Sequence, residues 1–137
     1  MRKKKVLFLC IHNSARSQMA EGFLRNFYGD KYEVYSAGSE PTMVNSFVVK
    51  AMVEIGIDIS GYCSKSLDEL GRTSFDYVVT ICDKTKELLC PFYYGVKTDE
   101  ISFPDPSKFE GTDEEILSKI RGVRDGIKHY IIKTFGS

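Results

Sequence analysis

The sequence predicts an α/β fold, a single doubly wound domain in which a four-stranded parallel sheet carries helices on both faces. Three observations predict it. Strand-like and helix-like segments alternate along the chain, as they do where crossover helices join parallel strands. The first strand candidate is a continuous apolar run, typical of a strand buried on both faces. The length of 137 residues suits one domain, predicted over residues 1–137.

The first strand and the first helix have clear apolar patterns. Lys5–Cys10 contains four consecutive apolar residues and is predicted to be a buried strand. Ser17–Phe27 has apolar residues at the i, i+3, i+4 spacing of a helix, and Gly29 follows it as a stop signal. The polar loop between them therefore joins a strand end to a helix start.

Three further elements occupy the middle of the chain. Tyr32–Ala37 alternates like a strand, and Ser46–Ile55 repeats the helical apolar spacing before a glycine. Ser66–Leu70 is predicted to be a short helix that Gly71 ends.

The second half repeats the alternation. Tyr77–Ile81 is the strongest strand candidate, because it is rich in β-branched and aromatic residues. Lys84–Leu89 has helical propensity, and Ile101–Phe103 is a short strand candidate. The last helix is predicted from Thr112 to about Thr134, and it begins with the pattern of a capping box.

The charge balance and the absence of long apolar runs exclude several classes of function. Nineteen basic and nineteen acidic residues cancel, so no overall field favours nucleic acid or an anionic membrane. No run approaches the ~20 apolar residues of a membrane span, and Val6–Leu9 is too short for a signal peptide. The protein is therefore predicted to be cytoplasmic, where its four cysteines are thiols at rest.

A loop suited to an oxyanion follows the first predicted strand. Cys10 ends the strand, and Arg16 opens the helix six residues later. Backbone N–H groups at a helix start can converge on an anion, and a guanidinium pairs with two of its oxygens. The same donors stabilise the nucleophilic thiolate of Cys10. The predicted substrate-binding residues are Ile11, His12, Asn13, Ser14, Ala15, Arg16 and Ser17.

Individual side chains of this loop have different predicted roles. Asn13 tolerates the left-handed backbone that such a loop needs, and Ser17 can donate a hydrogen bond to the sulfur of Cys10. The side chain of His12 is predicted to lie at the surface, and His129 is predicted to be structural. The opposing interpretation makes Cys10 a buried strand cysteine that acts as a small hydrophobe, but its position between strand and helix favours function.

Three reactive residues lie just beyond the carboxyl ends of predicted strands: Cys10, Cys82 and Asp105. Ligands of doubly wound sheets bind at that edge, so these residues are predicted to converge there. The residues alone leave other interpretations open. Cys82 could be a buried strand-end cysteine, Cys90 a loop thiol, and Asp105 a turn aspartate between prolines. Cys63 has no obvious partner and is predicted to be structural.

The segment Cys10–Gly22, Cys-x-x-Asn-Ser-x-Arg-Ser-Gln-Met-Ala-Glu-Gly, resembles the oxyanion loop of arsenate reductases built on the low-molecular-weight tyrosine phosphatase fold. The similarity covers nearly the whole chain. It continues through Tyr35–Gly38, Gly56–Ser60, Val78–Cys82, Pro104–Pro106 and Arg121–Ile127.

This resemblance implies that the chain reduces arsenate to arsenite with three cysteines and no cofactor. Cys10 would attack arsenic, Cys82 would attack Cys10 and release arsenite, and Cys90 would then carry the disulfide to thioredoxin. Glutaredoxin with glutathione is the alternative reductant. Asp105 would protonate the departing oxygen. Phosphate and sulfate are the expected competing oxyanions, weak phosphatase activity is expected, and the protein is expected to be a monomer.

Two other classes of function remain open. A low-molecular-weight protein tyrosine phosphatase needs only the loop nucleophile and a general acid. Hydrolysis has no use for Cys82 and Cys90, and those phosphatases usually carry an aromatic residue where this chain has Ser107, so the reductase is favoured. A non-catalytic oxyanion or thiol-redox sensor is the third possibility, but nothing in the sequence indicates a partner surface.

The chain departs from its resemblance at a potassium site that some relatives carry near the oxyanion loop. Asn13, Glu21 and Ser36 match that site, but Cys63 and Lys65 replace a threonine and an aspartate. Because a lysine ammonium is itself a point charge, no metal and no potassium requirement are predicted.

The spacing of the last two relay cysteines has a mechanical consequence. A helical segment between Cys82 and Cys90 would hold their Cα atoms ~12 Å apart. A disulfide needs them within ~7 Å. The segment Lys84–Leu89 is therefore predicted to unwind or fold back on oxidation.

Overall fold

The computed structural model describes residues 3–83 and 93–136. Its four strands are β1 Lys4–Cys10, β2 Tyr32–Gly38, β3 Phe75–Ile81 and β4 Gly95–Ile101. They form one sheet in the order β2-β1-β3-β4, and every pairing is parallel. The α-helices are α1 Arg16–Tyr28, α2 Ser46–Val53 and α3 Asp113–Phe135, and Leu67–Leu70 and Pro106–Lys108 form 3₁₀ helices. The predicted α/β fold with a parallel sheet is confirmed.

The side chains of β1 alternate between two hydrophobic layers. Val6 and Phe8 face one layer, which also contains residues of all three α-helices. Leu7 and Leu9 face the other layer, to which the 3₁₀ helix Leu67–Leu70 contributes among the described residues. Because both faces of β1 are buried, its sequence is a continuous apolar run and not an alternating one.

The position of β1 between β2 and β3 places the candidate site at the centre of one sheet edge. The register pairs Cys10 with Gly38 on one side and Leu9 with Thr80 on the other. Cys82 comes directly after β3. The carboxyl ends of neighbouring parallel strands therefore carry Cys10 and Cys82.

The position predicted for the fourth strand was wrong. The strand predicted over Ile101–Phe103 lies instead at Gly95–Ile101. This edge strand is largely exposed, and its sequence Gly-Val-Lys-Thr-Asp-Glu-Ile contains no apolar run, because only one neighbouring strand and little of the core contact it. The predicted helix Lys84–Leu89 and Cys90 lie outside the described residues. Other boundaries differ from the prediction by one or two residues.

Helix α3 is connected to the end of α2 by side-chain hydrogen bonds. Its capping box is confirmed, since the side chains of Thr112 and Glu115 bond each other's backbone N–H groups. Arg124 donates to the carbonyl of Ala51 (2.8 Å) and to Glu54 (2.9 Å), and so ties α3 to the end of α2. In the described ranges, no helix combines the length and the apolar character that crossing a membrane requires.

Candidate active site

The predicted oxyanion loop connects the end of β1 to the start of α1. Cys10 is the last residue of β1, and Arg16 is the first of α1. Both side chains are only 2% exposed. Asn13 has a left-handed backbone (φ 49°), as the sequence predicts, and this conformation lets the chain curl between strand and helix.

Four consecutive carbonyl groups of the loop point away from its centre. Each accepts a hydrogen bond from outside the loop: Ile11 from Glu40 N (2.8 Å), His12 from Thr42 N (3.2 Å), Asn13 from Ser64 Oγ (2.8 Å) and Ser14 from Asn45 N (2.8 Å). A trans peptide unit directs its N–H opposite to its C=O, and the described residues contain no cis peptide. The N–H groups of residues 12 to 15 therefore face the centre of the loop, where they can bind an anion.

Gly38, at the end of β2, lets the second strand approach this loop closely. A Cβ atom at Gly38 would lie 2.5 Å from the Ile11 carbonyl oxygen and 2.8 Å from the backbone N of Asn13. Both atoms belong to backbone and cannot swing aside. The loop thus keeps its curvature only while residue 38 has no side chain.

Ser17 and Asn13 form a short hydrogen-bond chain that ends on the sulfur of Cys10. Ser17 Oγ lies 2.8 Å from Cys10 Sγ, and Asn13 Nδ2 donates to Ser17 Oγ (2.7 Å). A thiolate only accepts, so Ser17 must donate to the sulfur whenever Cys10 is ionised. This arrangement suits a cysteine nucleophile.

Arg16 and Asp105 meet beside the loop, although they are far apart in the sequence. Arg16 Nη1 donates to the Phe103 carbonyl (3.1 Å), and Nη2 lies 3.9 Å from Asp105 Oδ2. The other carboxylate oxygen of Asp105 accepts from the backbone N (3.0 Å) and the hydroxyl (2.9 Å) of Ser107. Asp105 is thus anchored through Oδ1, whereas Oδ2 faces the guanidinium.

A cleft opens in front of the loop and contains residues that the sequence interpretation missed. Its lining consists of Ile11, His12, Glu40, Asp83, Pro104, Asp105, Lys108 and Phe109. Asp83 is buried and follows Cys82 at the end of β3. The strand-end rule that identified Cys82 could have identified Asp83 as well. The ring of His12 makes a hydrogen bond with the carbonyl of Glu40 (3.0 Å) at the rim.

The described cysteines differ in redox state, so the expectation of four resting thiols does not hold for Cys82 in this structure. Cys82 is 1% exposed and disulfide-bonded, whereas Cys10 and Cys63 are free thiols, buried and exposed respectively. The backbone N of Cys82 donates to the Ile101 carbonyl (3.0 Å). Cys90, the third predicted relay residue, lies outside the described residues.

The residues that match a potassium site in some relatives surround a lysine here. Lys65 Nζ donates to the Cys63 carbonyl (2.9 Å) and lies 3.8 Å from Glu21 Oε1. The hydroxyl of Ser36 donates to the same Glu21 oxygen (2.5 Å). Arg25 Nε also pairs with the other oxygen of Glu21, Oε2 (2.9 Å). Because two cations already face Glu21, these residues do not fit a bound potassium ion.

Comparison with known proteins agrees with this geometry. The family model of low molecular weight phosphotyrosine protein phosphatase matches residues 5–134. The chain is 48% identical to an arsenate reductase of Halalkalibacterium halodurans over 136 residues, which cover 98% of this chain and 96% of that protein. It is also similar to two solved structures. One is an arsenate reductase in its phosphate-binding state (TM-score 0.76, 32% identity, 95% of both chains). The other is a thioredoxin-dependent arsenate reductase of Corynebacterium glutamicum (TM-score 0.61, 31% identity, 96% of this chain and 63% of that one).

Proposed function

The chain belongs to the low molecular weight phosphotyrosine protein phosphatase family, among its arsenate reductases, and on that premise we propose that it reduces arsenate to arsenite with its own cysteines. One observation carries the proposal. A buried thiol, Cys10, lies in a loop of inward N–H groups, and a second buried cysteine, Cys82, directly follows the adjacent strand. The first feature suits any phosphate-like oxyanion, and the second supplies a redox-active sulfur that hydrolysis does not need.

In the first step, arsenate binds to the N–H groups of residues 12 to 15 and to the guanidinium of Arg16. The thiolate of Cys10 attacks arsenic, an S–As bond forms and one As–O bond breaks. Asp105 gives the departing oxygen its proton, so that water leaves. The inward N–H groups stabilise the negative charge on the remaining oxygens.

In the second step, the thiolate of Cys82 attacks the sulfur of Cys10. The S–As bond breaks, and its electron pair stays on arsenic, which falls from As(V) to As(III) and leaves as arsenite. Two thiols are thereby oxidised to a Cys10–Cys82 disulfide. Each atom and electron is accounted for without a cofactor.

In the third step, Cys90 attacks Cys82, frees the Cys10 thiolate and leaves Cys82 oxidised. The redox states of the described cysteines support this order, since Cys82 is disulfide-bonded while Cys10 is free. Thioredoxin then reduces the remaining disulfide. The similarity to a thioredoxin-dependent enzyme favours thioredoxin over glutaredoxin with glutathione.

The same loop also supports a second, weaker activity. Phosphate and sulfate have the tetrahedral shape and charge of arsenate, so we expect both to compete for the loop. A relative in a phosphate-binding state is consistent with that competition. Hydrolysis of an aryl phosphate needs only Cys10, Arg16 and Asp105, and we expect it to be slow. Potassium independence, a monomeric state and a cytoplasmic location belong to the same proposal.

Arsenate-dependent NADPH oxidation in the presence of thioredoxin and thioredoxin reductase tests the relay. We expect steady turnover by the wild type and at most one stoichiometric release of arsenite by Cys90→Ser. Cys63→Ser is the matched control, because it removes a free and exposed thiol, and it should turn over normally. A wild type that hydrolyses an aryl phosphate but never reduces arsenate would make the protein a phosphatase. A chain that binds the oxyanion without either activity would be a sensor.

A further inference from the structure

We infer that Gln18 is a positioning residue, which fixes the orientation of the Asn13 amide and thereby keeps the hydroxyl of Ser17 directed at Cys10. The inference deepens the proposed function and rests on it for its meaning in catalysis. Gln18 lies on the first turn of α1 and is fully buried. It was part of the recognised sequence motif, but no role was predicted for it.

The side-chain nitrogen of Gln18 lies among three oxygen atoms. Nε2 is 2.9 Å from the Asn13 carbonyl oxygen, 3.0 Å from Asn13 Oδ1 and 3.0 Å from the Cys63 carbonyl oxygen. All three oxygens can only accept hydrogen bonds. The amide of Gln18 therefore has one favourable orientation, since the opposite one would place an oxygen against three oxygens.

That orientation is kept although it leaves another polar atom unsatisfied. Oε1 of Gln18 is buried and makes no hydrogen bond within the described part of the chain. A buried polar atom without a partner is unfavourable and calls for an explanation. The explanation here is the set of contacts made by Nε2, which hold both the backbone and the side chain of Asn13, the residue with left-handed backbone.

The hydrogen bond from Gln18 to Asn13 Oδ1 decides whether Ser17 can donate its proton to the sulfur of Cys10. Gln18 Nε2 and the backbone N–H of Lys65 (2.8 Å) both donate to Asn13 Oδ1, so the Nδ2 group faces Ser17. If the Asn13 amide flipped, Oδ1 would face Ser17 and could take its only proton. The Cys10 thiolate would then lose its hydroxyl donor. Gln18 thus acts on the nucleophile through two intervening side chains.

The pH dependence of Cys10 alkylation by iodoacetamide, read by peptide mass spectrometry, tests this inference. In Gln18→Leu we expect the alkylation rate at neutral pH to fall about fivefold, which is the rate factor that corresponds to the loss of one neutral hydrogen bond. We also expect the curve of alkylation rate against pH to move to higher pH. Gln18→Glu keeps the shape but places a carboxylate against the three oxygens, so its effect should be larger. Asn26→Leu is the matched control, because Asn26 is a carboxamide on the same helix, and within residues 3–83 and 93–136 its Nδ2 bonds only Gly22 of that helix.

A double-mutant cycle separates positioning from general stability. In the background Ser17→Ala the path to the sulfur is already broken, so Gln18→Leu should change the alkylation profile no further. An effect of equal size in both backgrounds, or a profile of folded Gln18→Leu identical to that of the wild type, would overturn the inference. If Gln18→Leu does not fold, the same cycle is run with Gln18→Glu. Alkylation needs neither arsenate nor thioredoxin, so its outcome is independent of whether the proposed reduction occurs.

Discussion

Asp105 Oδ2 lies 3.9 Å from Arg16 Nη2, and both side chains are nearly inaccessible to solvent. Arg16 comes from the start of α1 and Asp105 from the segment after β4. They meet because the fold places both segments at the same edge of the sheet. Under the proposed function, the guanidinium would bind the oxyanion and the carboxyl group would supply its proton.

We predict that Asp105→Asn slows the step that expels oxygen. General acid catalysis contributes about a hundredfold to ten-thousandfold to the rate. The asparagine side chain keeps an oxygen that accepts the hydrogen bonds from Ser107, but it has no carboxyl proton to donate. The measurement is aryl phosphate hydrolysis together with single-turnover arsenite release. Ser107→Ala, which removes one hydrogen bond to Asp105, should cost far less. Equal losses in the two variants would argue against the role of Asp105 as the acid.

Ser17→Ala should weaken the nucleophile without disturbing the loop backbone. A hydrogen bond to a charged group contributes about 1.5–3 kcal/mol, so the rate of arsenate reduction at neutral pH should fall about 10- to 100-fold. An unchanged rate in the folded variant would contradict this role of Ser17.

Gly38→Ala should distort the oxyanion loop, because the new methyl group would meet backbone atoms of Ile11 and Asn13. Overpacking of this kind costs about 1–3 kcal/mol, and we expect sulfate and arsenate binding to be lost together. Titration calorimetry with sulfate measures the effect. The control is Gly61→Ala, whose methyl group would meet no atom within 4 Å. Undiminished sulfate binding by Gly38→Ala would contradict the close approach.

Lys65 should make the wild type indifferent to potassium. Its ammonium lies beside Glu21 and the Cys63 carbonyl, so replacing sodium by potassium at equal ionic strength should leave sulfate and arsenate affinities unchanged. Lys65→Asp should restore a potassium response, since two carboxylates and the carbonyl would then face one position. A several-fold rise in the affinity of the wild type in potassium would count against this prediction.

The ion pairs of Glu54 should make stability depend on acid pH. The hydrogen bonds from Arg121, followed by those from Arg124, lower the pKa of Glu54 from 4.5 to about 2. A lowered carboxyl pKa contributes stability above about pH 4.5, which is lost as the pH falls towards 2. Urea unfolding across this range should show a smaller loss on acidification in Glu54→Gln than in the wild type. Because Glu54 is exposed, the effect should be modest and reduced by salt. Glu110→Gln, at another exposed glutamate, is the control for removing a charge.

The sequence by itself determined the fold class and the oxyanion loop. Both are recorded in local patterns. The continuous apolar run of β1 reflects burial on two faces, and Cys10, Asn13, Arg16 and Ser17 lie within eight consecutive positions. Residues so close in the chain must meet once the strand and the helix that flank them have formed.

Only the tertiary structure decided which distant groups complete the site. The strand ends predicted that Asp105 lies at this edge, but its contact with Arg16 appears only in the structure. The same holds for the approach of Gly38 to the loop and for the hydrogen bond from the backbone N–H of Lys65 to Asn13. Such contacts leave no periodic signal, because each depends on a single pair of atoms. Strand β4 escaped correct prediction for a related reason, since an exposed edge strand needs no apolar pattern. The local sequence thus places the candidate nucleophile Cys10 in the loop after β1, and the packing of the sheet brings the distant groups to it.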